Sequence, residues 1–301
     1  MVLTKLFVVP RLGGIVGFRL KPVPRTAYDV PRLRNGLWHM AALAFCLLSG
    51  FVAAQEVAMD YAKTNIAGRA VTIEVPAGVE QVVIPNLHAP MRKLDWEQAN
   101  DSKGKLELAP LVDAWRIKVA KSDEARTVKL VLGDRPLLTK DLTAIKPRPD
   151  GGFDLPAHLA RVVGDKLRYE PQPRKNTVGY WVGPDDYAYF ILQCNKPGKF
   201  NVGILQGCGK GQGGSDVAIS LHGPVADGAY SEDQQPVGEA AIGTITFQAE
   251  ETGHFQNFKW RHVGELSMAT KDTYAIKVAP TKIAKTAVMD VRAISLTRIP
   301  E

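Results

Sequence analysis

Alternation of apolar and polar residues with a period of two is the feature that most constrains this chain. It runs in short stretches from about residue 57 to the end, and the 3.6-residue repeat of an amphipathic helix is nearly absent. Successive side chains of an extended strand point to opposite faces, so each such stretch has one face to bury and one to wet. In the first half the pattern predicts strands at residues 71–75, 79–85, 105–108, 114–119 and 128–132. Trp115, Ile117 and Val119 share one face there, with Arg116 and Lys118 on the other. In the second half Phe190, Leu192 and Cys194 alternate with Tyr189, Ile191 and Gln193, and Phe200, Val202 and Ile204 alternate with Asn201, Gly203 and Leu205. Further runs fall at 216–221, 242–248, 263–268, 273–278 and 287–296.

Many short strands separated by turns, with no βαβ alternation, predict an all-β protein. Residues 146–152, Lys-Pro-Arg-Pro-Asp-Gly-Gly, are stiff and then flexible and mark a domain boundary. The expected organisation is therefore two β-sandwich domains, one over 57–146 and one over 150–301. Residues 223–238 are polar and glycine-rich and are expected to form an exposed loop.

The chain carries a net charge of +7, and its location matters more than its size. Seven basic residues and one acidic residue lie before Gln55; from there on, 31 basic residues face 30 acidic ones. The excess belongs to the leader, and the remainder has no basic footprint for nucleic acid. Residues 40–54 are apolar, follow Arg32 and Arg34, and end in Val52, Ala53 and Ala54. Such a segment reads as an export signal cleaved before Gln55, too short for a bilayer span. Residues 1–54 are thus expected to be a leader with a signal peptide, its first part long enough to suggest a start assigned too far upstream. The expected location is periplasmic, cell-surface or extracellular, with membrane contact only through the signal.

Cys46 leaves with that leader, so Cys194 and Cys208 remain. If the two runs around them form a hairpin through residues 195–199, Cys194 sits beside Phe200 and Cys208 lies over 20 Å away at about 3.3 Å per residue, too far for a disulfide. Two buried thiols are expected.

Catalytic motifs are missing. Gly209, Gly211 and Gly214 satisfy G-x-G-x-x-G, but a strand follows where a dinucleotide site needs a helix. His88, His158, His222, His254 and His262 have no metal-ligand spacing, and there is no C-x-x-C and no G-x-S-x-G. Asp185-Asp186 and Glu250-Glu251, read as strand neighbours, point to opposite faces and do not converge on one bond.

A family resemblance is carried by several short elements in a fixed order. They are Asn176, Gly179, Tyr180 and Trp181; then Asp185 to Phe190; then Lys196, Pro197, Gly198 and Phe200; then Thr252, Gly253, His254 and Phe255; and last Met289, Asp290 and Val291. The order resembles the carbohydrate-binding modules of families six and thirty-five, galactose-binding-like jelly rolls, over residues 150–300. Residues 204–215 and 250–258 are more closely similar to modules appended to bacterial secreted sulfatases and α-L-fucosidases. The resemblance implies a loop-end cleft with Tyr180 or Trp181 on one wall, His254 or Phe255 on the other, and Asn176 as a polar neighbour. It also implies a structural calcium. Asp290 matches the aspartate of the last strand, whereas Asp154 to His158 offers no matching glutamate pair. No other cofactor is implied.

Sugars stack the apolar face of the ring on aromatic side chains. Trp181 and Phe255 could equally plug the end of a sandwich, as large aromatics usually do. Tyr187 and Tyr189 could form a flat platform or an inter-sheet layer. The expectation is a non-catalytic polysaccharide-binding protein, with a hydrolase as a candidate partner. The alternatives are a protein-docking module, or a remnant of a sulfatase or fucosidase that has lost its catalytic part.

Overall fold

The computed structural model describes residues 56–58, 65–97, 104–225 and 240–300. The leader expected at 1–54 and most of the loop expected at 223–238 lie outside the described residues. Among the described residues no helix is long and apolar enough to cross a membrane.

Short strands dominate, as the alternation requires. The first half contains β1 (Glu56–Ala58), β2 (Asn65–Ala67), β3 (Ala70–Val75), β4 (Gln81–Pro85), β5 (Met91–Trp96), β6 (Glu107–Pro110), β7 (Ala114–Lys118) and β8 (Arg126–Leu132). They form two four-stranded sheets, β1-β4-β7-β6 and β2-β3-β8-β5. The inward residues of β3, β4, β7 and β8 are buried in one apolar cluster, among them Val71, Ile73, Ile84, Trp115, Ile117 and Leu130. β5 is missing from the expected set because Met91–Trp96, Met-Arg-Lys-Leu-Asp-Trp, does not alternate cleanly. A register irregularity between Met91 and Lys93 explains the broken pattern.

The second half contains β9 (Phe153–Pro156), β10 (Arg161–Val163), β11 (Arg168–Glu170), β12 (Thr177–Gly179), β13 (Tyr187–Cys194), β14 (Gly198–Gly207), β15 (Asp216–His222), β16 (Gly243–Gln248), β17 (Lys259–Met268), β18 (Asp272–Lys282) and β19 (Asp290–Arg298). One sheet runs β10-β13-β18-β15-β16, and the other β11-β12-β19-β14-β17 with β9 also paired to β19. From β13 to β19 the chain changes sheet at every step but β15 to β16, which is jelly-roll winding.

That winding overturns the hairpin expected at residues 195–199. β13 pairs with β10 and β18, and β14 with β17 and β19, so the two runs lie in different sheets. A Pro-Gly turn allows the chain to arch between layers as readily as to fold back within one. The distance derived for Cys194 and Cys208 from hairpin pairing therefore has no basis, yet both are buried free thiols.

Tyr187 and Tyr189 likewise are no inter-sheet layer. They lie beside Ile191 and Ala275 in a separate buried cluster, with Ala144, Val163 and Val225 packed against it. Asp185 and Asp186 precede β13 rather than lying on it. Asp186 is buried and its carboxylate accepts the Gly183 N–H at 2.8 Å.

The two halves are bridged at several points. Ile145 N–H donates to the Ile191 carbonyl at 2.8 Å and its own carbonyl accepts from Gln193. The Met91 N–H donates to Pro171 O at 2.9 Å, and Gln172 Nε2 donates to Leu108 O at 3.2 Å. Between the halves, residues 148–152 form a tight turn in which Arg148 N–H reaches Gly152 O and Asp150 accepts the Gly152 N–H.

Candidate functional site

A cleft of about 280 Å³ opens at one end of the jelly roll. It is lined by Tyr180, Trp181 and Val182 after β12, by Phe255 and Gln256 between β16 and β17, and by Ala287, Met289 and Asp290 at the start of β19. Glu170 at the end of β11 and Lys175 on the following loop complete it.

Tyr180 owes its position to its backbone. With φ at +61° it occupies the left-handed region that non-glycine residues avoid, and this turns the chain sharply as it leaves β12. The ring is 45% exposed. The Arg168 guanidinium carbon lies 3.3 Å from the ring centroid and covers one face, a cation–π arrangement that fixes the ring plane. Trp181, next in the chain, turns inward and is fully buried, its indole N–H donating to Asp186 O at 3.1 Å. It serves as wall and core at once.

The opposite wall is built around glycines. Phe255 packs so closely on the end of β14 that a Cβ on Gly207 would sit 2.0 Å from Phe255 O, and one on Gly209 2.6 Å from its ring. Gly209, the first glycine of the G-x-G-x-x-G run, thus makes room for an aromatic loop. Thr252 fastens that loop: its hydroxyl accepts the Cys208 N–H at 2.8 Å, and its own N–H donates to Cys208 O at 3.0 Å. Glu251 and Glu250 are spent nearby, the first accepting the Gly211 N–H at 2.7 Å, the second pairing with Arg261 at 2.6 Å.

The floor is charged. Glu170 and Asp290 are 2% and 5% exposed, and they face each other across Gly179. A Cβ on that glycine would lie 2.8 Å from Glu170 Oε2 and 2.9 Å from Asp290 Oδ1. Lys175 Nζ reaches Glu170 Oε1 at 2.5 Å. Burial first, and then the Glu170 charge, push the Asp290 carboxyl up to about 8, so it holds its proton at neutral pH. The cleft therefore presents a carboxylic acid O–H, a carboxylate paired to an ammonium, and the Gln256 amide beside an aromatic rim. Such a mixture of donors and acceptors suits hydroxyl groups.

The donors around this pair do not fit a calcium ion. Ca²⁺ takes six to eight oxygens. Here an ammonium already faces Glu170, and the Gln256 amide nitrogen, 3.5 Å from Asp290 Oδ2, faces the other carboxyl. Asp154, the other candidate acid, is on β9 and pairs with Arg148. Among the described residues no group of three or more His, Cys, Asp or Glu side chains could hold a metal.

Of the residues nominated from sequence, the fold brings Tyr180, Trp181, Phe255 and Asp290 together. Asn176 and His254 lie outside the lining. Asn176, at φ +41°, accepts the Tyr169 hydroxyl at 2.7 Å and so shapes the loop that carries Lys175. His254 is exposed, and its Nδ1 accepts the Gln256 N–H at 3.1 Å. Glu170, Lys175 and Gln256 were not nominated. The first has no sequence sign: on the three-residue β11 it alternates with the core residue Tyr169, so its parity reads as outward.

No family model matches this sequence, and no curated protein matches it. Among solved structures the chain is similar to an Arthrobacter globiformis isomalto-dextranase complexed with panose, at 10% identity over 76% of this chain and 34% of that one, TM-score 0.36. It is also similar to a family 35 carbohydrate binding module from Clostridium thermocellum, at 11% identity over 49% of this chain and 98% of that one, TM-score 0.34. A third is the C-terminal family 6 module of a marine laminarinase from Zobellia galactanivorans, at 11% identity over 49% and 99%, TM-score 0.32. The chain spans about a third of the length of the first of these.

Proposed function

We propose that this is an exported, non-catalytic protein that binds a glycan in the cleft beneath Tyr180. The observation that carries the reading is the pairing of a half-exposed ring with a buried, hydrogen-bonding floor. A sugar residue can lay its C–H face on the rim aromatics and direct hydroxyls to Asp290, Glu170, Lys175 and Gln256. At about 280 Å³ the cleft is near the lower end of small-molecule sites, which start at roughly 300 Å³. It suits a single terminal sugar rather than a long internal segment.

Binding without reaction is supported by the state of the two carboxylates. A glycosidase places its acid and its base or nucleophile on either side of the scissile bond. Here both groups are sealed in the floor, on one side of any ligand, and Glu170 is held by Lys175. A hydrolase that acts on the same glycan is the natural partner for such a protein.

Native affinity electrophoresis of the purified protein in gels containing soluble polysaccharides tests the reading. Retardation by at least one glycan, reversed by Tyr180→Ala, is the expected result. Equal mobility of wild type and Tyr180→Ala in every gel would reject the cleft as a glycan site.

A further inference from the structure

The rim cleft leaves the most exposed aromatic ring of the described residues unexplained. Trp260 on β17 is 56% exposed, while Trp96, Trp115 and Trp181 are all buried. It lies on the outer face of the sheet formed by β11, β12, β19, β14 and β17, on different strand positions from the cleft lining.

A one-residue irregularity puts it there. β14 and β17 pair with Phe200 opposite Leu266 and Val202 opposite Gly264, and then Gly203 opposite His262. Val263 is the extra residue. In a regular ladder the parity of Leu266 and Met268, both buried, would carry Trp260 and His262 into the core. The insertion flips them outward, onto the face of Asn201 and Gly203. Gly264, at φ +146°, absorbs the distortion.

The result is a shallow depression of about 290 Å³ lined by Asn201, Gly203, Trp260, Arg261, His262, Ser295 and Thr297. Gly203 has no side chain, so the indole leans on its strand: a Cβ there would be 3.5 Å from Trp260 Cε3. His262 Nε2 and Asn201 Oδ1 are 3.2 Å apart. The hydroxyls of Ser295 and Thr297 and the Trp260 indole N–H make no hydrogen bond to another described residue. Ser295 and His262 flank Gly203 from opposite sides, two strand spacings or roughly 10 Å apart. No carboxylate lines the depression, and the Arg261 guanidinium is turned to Glu250 and Gln248 O.

We infer that this face is a second binding surface, for an uncharged polysaccharide chain lying across β17, β14 and β19. One flat apolar ring edged by the free hydroxyls of Ser295 and Thr297 and by a hydrogen-bonded amide–imidazole pair matches the alternation of C–H faces and hydroxyls along such a chain. A protein partner fits the same surface poorly, because stable interfaces bury about 800 Å² per partner around an apolar centre, and this one has a single ring. The groups sit on paired strands rather than on loops, so they are held in register before any ligand arrives. The surface shares no residue with the cleft, so either can exist without the other.

The test uses the whole purified protein with laminarin, galactomannan and hydroxyethyl cellulose, as wild type, Trp260→Ala, Trp260→Phe and Tyr180→Ala. The expected result is retardation by at least one of the three that falls at least tenfold in Trp260→Ala, is largely kept in Trp260→Phe, and persists in Tyr180→Ala. In the same mixtures the glycan should protect tryptophan emission from iodide in wild type and Tyr180→Ala. Retardation lost in Tyr180→Ala but unchanged in Trp260→Ala, with iodide quenching unaffected by glycan, overturns this surface and leaves the cleft standing. Absence of retardation of the wild type by all three overturns this surface, while the cleft is judged by its own gels. A dimer in wild type that becomes a monomer in Trp260→Ala, without any glycan effect, overturns it in favour of self-association.

Discussion

The two halves of the molecule each stack an arginine on an aromatic ring, and they put the pair to different uses. In the first half the Arg126 guanidinium lies 4.5 Å from the ring centre of Trp96, with both residues buried and the indole N–H donating to Gly104 O at 3.3 Å. In the second half Arg168 lies on Tyr180, and the ring stands half in solvent. The side-chain chemistry is nearly the same. What differs is the backbone beneath: Trp96 ends β5 opposite Val128 of β8, beyond the register irregularity at Met91–Lys93, and is buried there, whereas Tyr180 follows a strand on a left-handed residue that throws it outward. The conformation of one residue sets whether an aromatic is sealed in the core or exposed at the rim.

Four substitutions sharpen or break this contrast, in falling order of expected effect on stability. Trp96→Ala should be the most damaging, by about 3–5 kcal/mol, because it opens a cavity and leaves buried Arg126 without its ring. Urea unfolding measures it, and a loss below 1 kcal/mol would mean that the sealed pair is not structural. Gly179→Ala should follow, at about 1–3 kcal/mol, with glycan affinity reduced at least tenfold. Its Cβ would wedge between Glu170 and Asp290, so unchanged affinity in a binding isotherm would show that the acid pair is not part of the site.

Asp290→Asn should alter how stability depends on pH. The folded carboxyl titrates near 8 and the unfolded one near its ordinary value of 3.8. Between those values the folded state binds the extra proton, so the wild type should lose stability as pH rises from about 4 to about 8 and level off above. Unfolding midpoints measured across that window should decline in the wild type and stay flatter in the asparagine variant. Parallel profiles would refute a protonated Asp290. Tyr180→Gly should leave stability within about 0.5 kcal/mol, since glycine adopts φ +61° without penalty and this offsets the loss of a half-exposed ring. Glycan retardation should nevertheless disappear from the cleft, and a large fall in thermal midpoint would show that the ring is holding the rim together.

Much of the architecture is legible in the alternation, and the failures have definite physical causes. Residues 114–118 read as a strand because tertiary burial follows their parity without interruption, and residues 187–194 because an alternating apolar run of strand length is buried on both faces. β5 and the first half of β17, residues 259–262, are obscured because an irregular register breaks that parity, which is also why Trp260 could not be read as exposed, whereas 263–268 reads as a strand. The aromatic walls at Tyr180 and Phe255 are visible as local motifs. The charged floor is not, because Glu170 and Asp290 come from β11 and β19, far apart in sequence and brought together by the β12 strand that pairs with both. Nothing local to either acid announces the other. The hairpin expected between Cys194 and Phe200 fails for a similar reason: which layer the next strand joins is settled by the whole sandwich, not by the turn.

The loop that brings Lys175 to the cleft is held from outside the jelly roll, by the Met91 amide on Pro171 and by Gln172 on the Leu108 carbonyl. Receptor architecture and sheet architecture are therefore divided at different places along the chain. A graft of the second half onto a foreign carrier would take every lining residue with it and still leave behind the scaffolding that sets the lysine's height above the floor.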